Sequence, residues 1–179
     1  MGATFTLISS STLTSDQVSI DLTSIPQTYT HLMLFAKVKT VDTSGTRDDL
    51  RIYFDTNTTA TNYVTARSIS YDGVNLLVGN DAGQGAGLAM NNNFSGTTGQ
   101  FGFYKILIPS YTESSRLKIA QISGGYAAKG TSANSGLEGL SSYRENSSAS
   151  NIAAITIKRS SAGNLLAGSS VYLYGLNNT

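Results

Sequence analysis

Residues 24–40, SIPQTYTHLMLFAKVKT, hold the chain's only histidine, His31, and one of its 2 prolines, Pro26. Two readings compete for this stretch. An active-site loop would set His31 beside a nucleophile or carboxylate within hydrogen-bond reach. A strand entrance would show period-two alternation directly after it. The residues favour the strand. Leu32, Leu34, Ala36 and Val38 fall on one face, and His31, Met33, Phe35 and Lys37 on the other. Pro26 has a fixed φ and no amide donor, so it belongs ahead of a strand and not inside one. The chain has no Gly-x-Ser-x-Gly elbow, and with 1 histidine and 0 cysteines a zinc site would need unusual ligands. His31 therefore reads as structural, the residue that opens a strand.

The same alternation recurs outward in both directions. Strands are expected near Thr4–Ser9, Gln17–Thr23, Thr30–Val41, Asp49–Thr56, Asn62–Ser70 and Gly73–Val78. Others are expected near Gly99–Pro109, Arg116–Gly124, Gly136–Arg144, Asn151–Arg159 and Ser169–Leu176. Val18, Ile20 and Leu22 would share a face, as would Leu50, Ile52 and Phe54, with Arg51 and Tyr53 opposite. The best helical candidate, ARSISYDGVNLLVG, is interrupted by Gly73 and rich in β-branched and turn residues. Many short strands and no helical stripe imply an all-β, antiparallel two-sheet sandwich, jelly-roll-like, in a single domain over 1–179 with its core at about 4–176. The stretch 79–99, GNDAGQGAGLAMNNNFSGTTG, is expected as a long loop or irregular hairpin.

Composition narrows the function classes. The chain has 179 residues, 40% of them hydrophobic, which supports a core of ordinary size. Only 13% are charged and the net charge is +1, so nothing points to nucleic acid or an anionic membrane as partner. No apolar run approaches a membrane span, and the opening MGATFTLISSS lacks a signal-peptide core. Synthesis in a cytoplasm without processing is the expectation. The opening also fits a myristoylation pattern, but a strand start explains the same residues.

Candidate chemistry is thin. Glu113, Glu138 and Glu145 are the only glutamates, and no motif pairs them across a sugar as glycoside hydrolysis requires. The acidic loop at 42–49, DTSGTRDD, lacks EF-hand spacing and reads as a hairpin. GQGAG at 83–87 has no Lys-Ser/Thr ending and no following helix to cradle a phosphate. Catalytic, cofactor-binding and metal-binding residues are therefore none, no cofactor is expected, and the chain is expected not to be an enzyme. The 10 tyrosines against 0 tryptophans stand out. Tyr53, Tyr104, Tyr172 and Tyr174 are the candidate interface residues, since tyrosine offers a large ring with a polar tip. Asn91, Asn92, Asn93 and Phe94 form the candidate contact loop.

Several stretches together carry a family resemblance. Ile25-Pro26-x-x-Tyr29-Thr30-His31-Leu32 is followed by Arg51-Ile52-x-Phe54 running into Asn62-Tyr63. Later come Ile108-Pro109-x-Tyr111 and the closing Gly168-Ser169-x-Val171-x-Leu173-Tyr174-Gly175. This set resembles strands recurrent in tailed-bacteriophage virion structural proteins, of the capsid-decoration or tail-fibre type. The resemblance implies a β-sandwich module on a phage particle and brings no catalytic residue with it. The expectation is a head decoration, or cement, protein on the capsid surface that stabilises the shell. Its partners would be the major capsid protein and other copies of itself, as a homotrimer. The alternative is a tail-fibre or receptor-binding module recognising host surface glycan.

Overall fold

Strand β3 (His31–Val38) has the alternation its sequence dictates, with Leu32, Leu34, Ala36 and Val38 buried and the residues between them turned outward. The computed structural model describes residues 4–40, 48–55, 57–71, 75–82, 86–90, 101–127, 136–145, 150–159 and 163–177. In chain order the other strands are β1 (Thr4–Thr12), β2 (Ser19–Leu22), β4 (Asp48–Phe54), β5 (Tyr63–Tyr71), β6 (Asn75–Ala82) and β7 (Ala86–Met90). They continue with β8 (Gly102–Pro109), β9 (Ile119–Ala127), β10 (Gly136–Glu145), β11 (Ile155–Arg159) and β12 (Ser170–Asn177). A 3-10 turn at Ala60–Asn62 precedes β5. Among the described residues no helix is long and apolar enough to cross a membrane.

The strands form two antiparallel sheets, as the alternation implied, but divide unequally. One sheet has 8 strands in the order β1-β12-β3-β8-β9-β10-β5-β6, and the other has 4 in the order β2-β11-β4-β7. Their facing sides make the core. The large sheet contributes Leu32, Leu34, Tyr104, Ile106, Ile108, Ile122 and Leu173, and the small sheet Ile20, Leu22, Leu50, Ile52, Phe54, Ile155 and Ile157. Each strand places alternate apolar residues on this side, as sandwich packing requires.

Two expectations change at the level of elements. β7, paired to β4 through Leu50↔Leu88 and Ile52↔Ala86, lies inside the stretch expected as a long loop or irregular hairpin. Val18 is exposed and precedes β2, so only Ile20 and Leu22 turn inward there.

The segment before β3 is held without strand pairing. Ile25 N donates to Ala153 O at 3.0 Å, and Gln27 Nε2 donates to the carbonyls of Ile25 and Ile152, each at 2.9 Å. Pro26 supplies only a carbonyl, which accepts from the Tyr111 hydroxyl. His31 then opens the strand, and its Nδ1 accepts from Ser110 N at 3.0 Å. Ser110 has φ 47°, a left-handed turn that ends β8 beside it. The ring thus fixes a turn on the neighbouring strand.

Candidate functional site

The two outer faces of the sandwich are finished in opposite ways. On the small sheet, Asp21 accepts from Ser19 Oγ and Thr156 Oγ1, each at 2.6 Å. Lys158 Nζ lies 4.8 Å from the Tyr53 ring centroid, and Tyr63 packs edge-on to Tyr53 at 5.5 Å. Asp21 thus ties β2 to β11 on that face.

The outer face of the large sheet is aromatic and apolar. One row of directly paired residues crosses every strand: Ser10, Tyr172, Phe35, Lys105, Ser123, Leu140, Ser68 and Val78. The next row begins Leu7, Tyr174, Met33, Leu107. Phe5 and Phe35 both meet Tyr174 edge-on, at 6.3 and 5.9 Å between centroids. The rings stay accessible to solvent: Phe103 60%, Phe5 53%, Phe35 41% and Tyr172 41%. Among the described residues no strand packs over them. Rings left accessible together make this face the candidate contact surface.

Near the middle of this face an open groove of about 640 Å³ runs among Phe35, Lys37, Phe103, Lys105, Ser123 and Tyr172. Lys37 Nζ lies 4.0 Å from the centroid of Phe101, a cation–π contact beside the groove. This face and its groove are the candidate functional site.

The nominated tyrosines separate. Tyr172 and Tyr174 belong to the site. Tyr53 and Tyr104 do not, being 1% and 3% exposed, and this corrects their nomination as interface residues. Tyr104 shares its face with Ile106 and Ile108, which alternation within β8 already required. The absence of a side chain at Gly102 leaves room for its ring, since a Cβ there would lie 2.5 Å from the Tyr104 hydroxyl. Tyr53 alternates with Ile52 and Phe54 along β4, but Tyr63 and Lys158 pack against its ring and it is buried with the core. Phe5, Phe35 and Phe103 were not nominated, although the outward parity of Phe35 was legible. The contact loop Asn91, Asn92, Asn93, Phe94 and the acidic loop 42–47 lie outside the described residues.

A second polar cluster sits where β4, β9 and β10 end. Glu145 and Lys118 are both buried. Asn57 Nδ2 donates to Glu145 Oε1 at 2.6 Å, and Asn62 Nδ2 donates to Asn57 Oδ1 at 2.8 Å. Lys118 Nζ donates to the carbonyls of Glu113 and Ser110. Burial lowers the Lys118 pKa, while the carboxylates of Glu113, Glu145 and Asp55 act to raise it. Asp55, at φ 52°, accepts from Ala153 N and Ala154 N at 2.7 and 3.0 Å. These bonds tie the β4–β5 turn to two loops, a structural duty for all five side chains. Among the described residues no group of histidine, cysteine, aspartate and glutamate could hold a metal.

No protein-family model matches the chain, and a search of curated proteins finds no match. Among solved structures the chain is similar to Scytalido-glutamic peptidase with a peptide-based transition state analog, at 10% identity and a TM-score of 0.28. That match covers 92% of this chain and 66% of the peptidase, so the chain spans just under two thirds of that protein's length. It is also similar to the CBM2 module of the evolved Dit of Lactobacillus casei BL23 phage J-1, at 9% identity and a TM-score of 0.20. This second match covers 90% of the chain and 69% of the module's chain. The phage resemblance has no family match, and a likeness at that TM-score adds nothing to it. The peptidase corrects the expectation that the chain is not an enzyme, which is withdrawn. At that TM-score no catalytic residue is carried over from it.

Proposed function

We propose that the protein is a surface component of a phage particle that attaches to the shell through the outer face of its eight-stranded sheet. The observation that carries this is the group of exposed rings on β12, β3 and β8, Tyr172, Phe35 and Phe103, on a face where no strand among the described residues packs over them. A polar sheet face would serve an isolated molecule better, whereas rings with accessible edges add affinity when a partner excludes water from them. The phage-like strand motifs supply the setting. The major capsid protein is the partner proposed for this face, with further copies of the chain beside it as a trimer, assembled in the host cytoplasm.

Quantitative mass spectrometry of purified particles of the phage encoding the chain tests this. The protein should co-purify with heads in numbers comparable to the capsomers. Absence from particles would reject the proposal, and a few copies confined to tails would move it to the fibre.

A further inference from the structure

The groove indicates what chemistry the docking partner brings, on the reading that this face docks at all. Phe35 stands directly opposite Lys105, and Lys37 directly opposite Phe103, so rings and ammonium groups alternate between β3 and β8. Their neighbours are small: Ser170 beside Lys37, Ser123 beside Lys105, and Gly125 beside Phe103. Rings and lysine stems therefore stand as walls above a low floor. Apart from hydroxyls, the groove's polar side chains are those of Lys37 and Lys105, both donors. Neither lysine has a carboxylate partner among the described residues.

We propose that the groove takes an acidic peptide segment of a partner protein. Apolar side chains of that segment lie against Phe35, Phe103 and Tyr172, and its carboxylates meet Lys37 and Lys105. Charge decides among the occupants. A second copy docked face to face would set lysines against lysines, a juxtaposition that disfavours association. A neutral saccharide would meet the same rings and hydroxyls but leave both ammonium groups without a counter-charge.

Titration of the intact protein with a short extended peptide of glutamate alternating with leucine tests the proposal, followed by NMR shift mapping. The glutamate peptide should bind about tenfold more tightly than its glutamine counterpart at low salt, and that advantage should largely vanish near about 1 M salt. Amide shifts should centre on β3 and β8, and Lys37→Gln with Lys105→Gln should abolish the advantage. Equal affinity of the two peptides, or shifts elsewhere, would overturn the proposal. So would tighter binding of an oligouronate, which would assign the groove to an acidic glycan. Retention on particles separates this inference from the docking function. If Phe35→Ser with Tyr174→Ser is lost while the double lysine variant is retained, only the acidic partner fails. If the aromatic variant is retained like wild type, the docking face itself fails.

Discussion

Gly124 shows how tightly the floor beside the groove is built. Its φ is 152°, and a Cβ there would lie 2.1 Å from the carbonyl oxygen of Phe103. The obstacle is backbone in a paired strand, so it cannot rotate aside. Gly124→Ala should lower stability by about 3 kcal/mol, read as a shifted urea midpoint, and an unchanged midpoint would remove the argument. Two buried titratable groups give a pH signature. Lys118 has its pKa lowered from 10.5 by burial. Between that lowered value and 10.5 the unfolded chain binds more protons than the fold, so this group makes stability rise with pH. Tyr111 has its pKa raised from 10.0, chiefly by burial. Above 10.0 its unfolded phenol ionises first, so this group makes stability fall with pH. Chemical denaturation across the alkaline range should show Lys118→Met flattening the rise and Tyr111→Phe flattening the fall. Identical profiles for wild type and both variants would contradict the stated burial of these groups.

At the scale of elements, β3 is the strand on which most else depends, since it pairs with β12 and β8 and turns four apolar residues into the core. Leu34→Ala should cost about 3 kcal/mol, measured by denaturant unfolding; a cost near zero would mean the core is not built around this strand. Its face assignment was legible because alternation is local. So was the inward turn of Tyr104, through its parity with Ile106 and Ile108, although it was grouped with Tyr53, Tyr172 and Tyr174. β7 was not legible: Ala86-Gly-Leu-Ala-Met has little β-propensity, and its pairing with β4 recruits it. The cover over Tyr53 was equally hidden, since Tyr63 and Lys158 come from two other strands. Much of the strand order is non-local, with β12 inserted between β1 and β3 and β8 beside β3, and no residue pattern announces that. The exposed aromatic row follows from this order, because Tyr172, Phe35 and Phe103 become neighbours only once β12, β3 and β8 are adjacent.

For the whole molecule, the unequal division into sheets of 8 and 4 strands matters most. One outer face carries the Thr156–Asp21 hydrogen bond and Lys158 over the Tyr53 ring, and the other carries Phe5, Phe35, Phe103 and Tyr172. Exposed rings add little to the stability of the chain alone, so Phe35→Ser with Phe103→Ser should shift the unfolding free energy by less than about 1 kcal/mol. The same pair should reduce retention on particles at least about tenfold if the rings are central to the interface. Loss of folding in that variant would show the rings to be structural. The most direct measurement is a cryo-electron microscopy map of the particle bearing the protein. The account predicts that the row Tyr172–Phe35–Lys105 lies against a neighbouring protein while Asp21 and Lys158 face solvent. A map with the small sheet seated on the shell and the aromatic row open to solvent would contradict it.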